Sequence, residues 1–241
     1  MSAVALAEYL ILQADQQENI LHDSRFARPP IVTANGEAMR ALRAYNATPR
    51  RDESVLDRVK TALTIKSQPP DFKPKTQDEA RRCIEAIELF QRNENALGMR
   101  HLALRECDRL APLQVEGVVL SIQPDLIVDG AEGRVGAAII RVAKAPDPAG
   151  CKLETTRLKR GDHRREMGWY LVAMLQLLLE AQGKSFGRVD RDLCFVADVR
   201  LGARIGAAED HTKRIRAIKG ACRQIAALWP TITPKPSVFA K

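Results

Sequence analysis

The sequence predicts an α+β fold, in which a mixed central sheet is flanked by helices and preceded by an N-terminal helical region. Three observations indicate this class: an amphipathic helix at 76–90, apolar–polar alternation between Leu113 and Val142, and an apolar helix at 167–179 that precedes another strand. A buried helix between two strands is best placed as a crossover that covers one sheet face. Helices and strands are therefore expected to share a core.

The first 66 residues are predicted to be helical, because apolar residues recur at helical spacing around 4–14, 36–45 and 55–63. The following segment, SQPPDFKPK at 67–75, contains three prolines, and proline interrupts helices. It is the predicted linker between the region 1–66 and a core at 76–230. A tail at 231–241 completes the chain.

The core is predicted to begin with a helix that Thr76 and Glu79 cap as a capping box. A three-stranded antiparallel meander follows, with a first strand from Leu113, a long second strand at 118–128 and a third at 135–142, joined by a turn at Asp129–Gly133. A basic stretch leads into the buried helix. A strand, a hairpin and a last helix with Arg214 on its outer face end the core.

Composition narrows the function classes. The five cysteines form no CxxC pair and the four histidines show no HExxH spacing, which argues against a disulfide framework and a zinc site. No apolar run approaches bilayer length, so we expect no membrane partner and a cytoplasmic location. A net charge of +8 favours polyanionic partners. Phosphate-binding GxxxxGK[ST] loops, GxGxxG turns and GxSxG elbows do not occur.

Pro124 and Asp125 interrupt an apolar strand in the middle of the alternating stretch. This pair and the order helix, three strands, helix, strand resemble the PD-(D/E)XK nuclease superfamily over roughly residues 76–200. The resemblance implies a restriction-endonuclease-like core with a metal-binding aspartate, Asp125, on its second strand. An acid and a lysine two residues apart should then follow on the third strand.

The spacing has a chemical reason, since residues i and i+2 of a strand share one face and Mg²⁺ prefers carboxylate, water and phosphate oxygens. The third strand departs from the pattern, because the paired positions hold Ile139 and Arg141 in one register and Val142 and Lys144 in the other. Either register lacks the acid. Two interpretations stay open: Glu166 on the following helix supplies the acid, or catalysis has been lost.

The first interpretation implies Mg²⁺ or Mn²⁺ held by Asp125 and Glu166, with Arg141 or Lys144 stabilising charge on a phosphate. Glu166 and Tyr170 also resemble the Gln-x-x-x-Tyr motif of exonuclease-type members. Nucleic acid, and DNA in particular, is the partner that the resemblance implies. The predicted phosphate contacts form a basic run before the buried helix: Lys152, Arg157, Lys159, Arg160, Arg164 and Arg165.

The second interpretation is a catalytically inactive pseudo-nuclease scaffold that binds a protein partner through its N-terminal helices. Each site residue also has a purely structural explanation. Asp125 could end a strand after proline, Glu166 could favour a helix N-terminus, and the basic run could be a solvated loop.

Overall fold

The computed structural model describes residues 1–26, 35–68, 70 and 72–234, and it confirms an α+β fold with a mixed central sheet flanked by helices. The helices are α1 Ala3–Ile11, α2 Ala14–Phe26, α3 Gly36–Ala47, α4 Ser54–Lys66, α5 Pro74–Leu97, α6 Glu154–Ala181 and α7 His211–Leu228. The strands are β1 Ala103–Glu106, β2 Leu113–Val115, β3 Val118–Leu120, β4 Leu126–Asp129, β5 Arg134–Arg141, β6 Arg188–Val189, β7 Phe195–Asp198 and β8 Ala203–Ile205.

The central sheet has the strand order β1-β4-β5-β7-β8, and the short β6 also pairs with β5. Strand β4 runs antiparallel to both of its neighbours, β1 and β5. After β5, the chain crosses through α6 and returns as β7, parallel to β5. The carboxyl ends of β5 and β7 therefore meet at one edge of the sheet, where loops from both strands lie side by side.

Two hydrophobic cores lie on opposite faces of this sheet. The strand β5 shows the alternation, since Ala137 faces the core with α1, α6 and α7, whereas Ala138 and Ile140 face the core with α3, α4 and α5. Both sides of the predicted boundary at 67–75 thus contribute to each core. Helix α1 packs on α6, and α3 and α4 pack on α5.

The predicted meander is partly wrong. The long strand at 118–128 is two strands, because β3 pairs with β2 in a separate hairpin and β4 pairs with β1. Strand β1 precedes the predicted first strand and was not predicted. The break falls around Pro124, which lacks the N–H group that a central strand donates. The turn between β4 and β5 at 130–133 is confirmed.

Several helix ends also differ from the prediction. Helix α5 begins at Pro74, at the position where proline is tolerated best, so Thr76 lies inside the helix and does not cap it. Helix α6 begins at Glu154, which places most of the basic run on its first turns and not in a loop. Its buried stretch at 167–179 is confirmed.

The predicted tail at 231–241 is described only as far as residue 234, and 235–241 lie outside the described residues. Within the predicted linker, residues 69 and 71 also lie outside them. No helix in the described part of the chain is both long and apolar enough to cross a bilayer.

Candidate functional site

Asp125 lies in a bend immediately before β4, with its side chain 14% exposed. Its Oδ2 accepts a 2.7 Å hydrogen bond from the backbone N–H of Ile140. The nearest cation is Arg43 of α3, whose Nε lies 4.0 Å from Oδ1. Burial raises the pKa of Asp125 to about 6, because one N–H group and a distant guanidinium offset only part of the lost hydration.

Glu166 faces a different part of the molecule. Its Oε2 lies 2.8 Å from Nη1 of Arg214 on α7. The same guanidinium binds Asp210 at 2.8 Å and lies 4.8 Å from the ring centroids of Trp169 and Tyr170. The prediction that Arg214 points outward is wrong, since the residue is 8% exposed. Glu166 thus has a structural partner on the neighbouring helix.

The two predicted metal ligands do not meet. Arg43 belongs to the helical layer on one face of the sheet and Arg214 to the layer on the other face, so the nearest cations of the two carboxylates lie on opposite sides of the sheet. No group of three or more His, Cys, Asp or Glu side chains within the described residues could hold a metal ion. A Mg²⁺ or Mn²⁺ site with Asp125 and Glu166 therefore does not fit this arrangement.

Arg141 lies at the carboxyl end of β5 and is buried beneath α6. Its Nη1 lies 3.7 Å from Oδ2 of Asp198 and donates to the carbonyl of Arg164 at 3.3 Å. Burial and the neighbouring Arg164 lower the pKa of Arg141 to about 10, with Asp198 opposing the change. The side chain therefore remains a cation at neutral pH.

Arg164, one of the predicted phosphate contacts, has a fully buried side chain, so it is not placed to contact a nucleic acid. Its Nε and Nη2 each donate to one carboxylate oxygen of Asp198 at 2.8 Å. Its Nη1 donates to the carbonyls of Ala143 at 3.0 Å and Pro146 at 3.1 Å. A bidentate pair of this kind fixes the loop after β5 against α6 and β7.

Asp198, the buried partner of both arginines, was not predicted from the sequence. Besides the two guanidiniums, its Oδ1 accepts backbone N–H groups of Arg200 at 3.2 Å and Leu201 at 3.0 Å. The only signal was an acid directly after the apolar residues of "FVAD". One carboxylate here faces two buried guanidiniums, so the cluster of Arg141, Arg164 and Asp198 retains a positive charge.

A cavity of about 720 Å³ opens at this edge of the sheet, beyond the carboxyl ends of β5 and β7. Four cationic residues line it: Arg82, Arg141, Lys144 and Arg200. Its lining also includes Val4, which is half-exposed, and Ile139, which is partly buried, together with the buried residues Ile140 and Val142. Neither Arg82 nor Arg200 was predicted from the sequence to be a site residue.

The four cations differ in their pairing. Arg200 is neutralised by Glu85 at 2.9 Å and Asp147 at 3.4 Å. Arg82 and Lys144 are exposed and form no ion pair with any described residue. These two side chains and the guanidinium of Arg141 leave the cavity with an excess of positive charge. Guanidinium and ammonium groups in this arrangement can bind a phosphate.

The other members of the basic run lie on or next to the first turns of α6. Arg157 pairs with Glu154 at 3.3 Å and Arg165 with Asp162 at 2.9 Å, both on the solvent side. Arg160 donates to the carbonyl of Asp147 at 2.9 Å. Lys152 and Lys159 are exposed. Apart from Arg164, the predicted phosphate contacts are thus accessible.

Comparison with protein-family models, curated proteins and solved structures finds no match to this chain.

Proposed function

We propose that the chain is a nucleic-acid-binding protein with a restriction-endonuclease-like core, which binds phosphate groups in its cationic cavity without hydrolysing them. The cavity supports this proposal most directly, because Arg82, Arg141 and Lys144 bring an excess of positive charge to one concave site. The net charge of +8 has the same sign. Phosphodiesters are the polyanions that such a charge excess attracts.

The order of elements supports the finer description of the fold. Apart from the separate β2–β3 hairpin and the short β6, the order is helix α5, antiparallel strands β1, β4 and β5, crossover helix α6 and parallel strand β7, which resembles a PD-(D/E)XK core. The degenerate motif supports the absence of hydrolysis. Within the described residues, Asp125 belongs to no group of three or more His, Cys, Asp or Glu side chains that could hold a metal ion.

The walls of the cavity favour a nucleotide over a free inorganic anion. Val4 and Ile139 present apolar surface beside the cations, and a sugar or base can pack on such surface while its phosphate contacts a guanidinium. This combination predicts binding that depends on salt and depends little on sequence.

The decisive experiment measures the affinity for labelled DNA and RNA oligonucleotides over a series of salt concentrations. We expect Lys144→Glu and Arg82→Glu each to weaken binding at least about tenfold and to flatten the salt dependence, since each phosphate contact contributes about 0.9 to its slope. Arg81→Glu is the matched control: it makes the same charge change on the same helix, at an exposed residue outside the cavity lining. It should retain most of the affinity.

Two results would overturn the proposal. In the first, Lys144→Glu and Arg81→Glu weaken nucleic-acid binding equally, which would show that the cavity is not the binding site. The other is cleavage in the presence of Mg²⁺ or Mn²⁺ that Asp125→Ala abolishes, because the protein would then be a nuclease. Failure to bind any nucleic acid, together with a stable protein complex, would instead favour the interaction scaffold with N-terminal helices as its contact surface.

A further inference from the structure

The first turns of α6 extend beyond the packed part of the molecule. None of residues 154–160 is buried, and the continuous buried stretch of this helix begins only near Met167. Seven residues at 1.5 Å each give about 10 Å of helix that contributes no core side chain. We call residues 152–160, which include the preceding Lys152 and Leu153, the projecting segment.

The projecting segment is basic and carries exposed apolar side chains. Its cations are Lys152, Arg157, Lys159 and Arg160, and its single acid is Glu154. Leu153 is 67% exposed and Leu158 is 56% exposed, which places both among the six large exposed hydrophobic residues of the described chain. Two exposed leucines beside four cations give this segment a mixed apolar and basic surface, which suits contact with a polyanionic partner.

The segment ends beside the cationic cavity. Arg160 donates to the carbonyl of Asp147, and the carboxylate of Asp147 pairs with Arg200 of the cavity lining. Arg164, one helical turn later, donates to the carbonyls that follow β5. A polyanion in the cavity would therefore pass directly along the projecting segment.

We propose that the projecting segment enters the major groove of duplex DNA while the cavity holds phosphates of the same duplex, an inference that rests on the proposed function. A helix with side chains is about 10–12 Å across, and the major groove of B-form DNA is about 12 Å wide. The major groove of A-form RNA is deep and too narrow for side chains to read. Leu153 and Leu158 can contact thymine methyl groups there.

The test compares the affinity of the full chain for three probes of one sequence: duplex DNA, duplex RNA, and duplex DNA whose major groove carries glucosylated hydroxymethylcytosine. We expect the wild-type protein to prefer unmodified duplex DNA over either of the others by about tenfold or more. The double variant Leu153→Ser with Leu158→Ser should lose this preference, and Lys159→Glu should weaken binding of the DNA duplex severalfold. Lys219→Glu on the exposed face of α7 is the charge-matched control.

The outcomes separate this inference from the proposed function. The inference would be overturned, and the proposed function retained, if binding depends on Lys144 but is equally tight for duplex DNA and duplex RNA. The same holds if glucosylation of the major groove does not weaken binding. The inference would also be overturned if the protein binds vesicles of anionic phospholipid through the projecting segment more tightly than it binds duplex DNA. Absence of binding to every nucleic acid would overturn both. Far-ultraviolet circular dichroism and thermal unfolding of each variant show whether a change in affinity reflects a change in folding.

Discussion

Two acidic residues near the same edge of the sheet show how partners decide the state of a buried carboxylate. Asp198 receives a bidentate guanidinium and two backbone N–H groups, and a second guanidinium lies 3.7 Å away. Asp125 receives one backbone N–H group and has its nearest cation at 4.0 Å. The first carboxylate is well compensated for its burial, and the second is not.

Asp125→Asn should therefore stabilise the protein at neutral pH. The pKa of Asp125 is about 6 in the folded protein against 3.8 ordinarily, so the folded protein holds this proton more tightly than the unfolded chain. The stability that the protonated side chain contributes is therefore fully present below pH 3.8 and is lost as the pH rises through 6. The amide keeps an oxygen for the N–H of Ile140 and has no charge to desolvate. We expect the difference in free energy of unfolding between the variant and the wild-type protein to be about 1–2 kcal/mol more favourable to the variant at pH 7.5 than at pH 4.

Urea unfolding of both proteins over this pH range measures the difference. Asp192→Asn is the control, since that side chain is 77% exposed and its neutralisation should leave the pH profile almost unchanged. Parallel profiles for Asp125→Asn and the wild-type protein would show that Asp125 is not strained by its burial.

Single residues also mark the limit of what the sequence could predict. Asp125, Arg141 and Lys144 attract attention because their types and spacing break an apolar pattern, and Arg141 and Lys144 do line the cavity. The burial of Arg164 could not be predicted, because its partner Asp198 lies 34 positions later in the chain. Local periodicity contains no information on such a pair.

At the scale of elements, α6 combines two environments in one helix, a basic segment exposed to solvent and an apolar segment buried against the sheet. The sequence predicted the second part from its continuous apolar residues. It placed the helix start too late, because charged residues continue a solvated helix as readily as they form a loop. Strand β1 was not predicted, and β4 was predicted as part of one longer strand at 118–128. The reason is similar, since short apolar runs do not specify the strands with which they pair.

The contact between β5 and the short turn at Arg191–Leu193 depends on a glycine in the strand. A Cβ atom at Gly136 would overlap the backbone of Leu193, whereas one at Gly220 in α7 would meet no other atom within 4 Å. Gly136→Ala should therefore destabilise the protein by about 2–4 kcal/mol, because the turn must move away from β5. Gly220→Ala should stabilise it by about 0.5–1 kcal/mol through helix propensity.

Thermal and urea unfolding of the two alanine variants check this pair. Equal effects in the two variants would contradict the close packing of the turn on the sheet. Both variants replace glycine by alanine, so the sign of the change in unfolding free energy indicates how much space surrounds each glycine.

At the scale of the whole molecule, the central sheet couples the two hydrophobic cores. Leu6 of α1 and Leu42 of α3 are both fully buried, on opposite faces of the sheet. The N-terminal helices were expected from their periodicity. That they pack against both faces could not be predicted, because the packing depends on contacts between residues far apart in the sequence.

Leu6→Ala and Leu42→Ala should each destabilise the whole chain by about 2–5 kcal/mol. Trp169 and Trp229 both pack against the core that contains Leu6, so their fluorescence reports only that side of the sheet. We nevertheless expect Leu42→Ala to shift the fluorescence transition and the circular dichroism transition together. Ile65→Ala, at a side chain 61% exposed, is the control. If Leu42→Ala leaves the midpoint of the fluorescence transition unchanged, the two sides of the sheet unfold independently.

The buried cluster of Arg141, Arg164 and Asp198 has a consequence for how this protein can be altered. Its members hold β5, α6 and β7 together, whereas Lys144 and Arg82 at the mouth of the cavity pair with no described residue. Mutagenesis libraries should therefore tolerate many amino acids at the two outer positions and few at the inner three. Ligand preference can then be redesigned at the entrance while the scaffold beneath it is left intact.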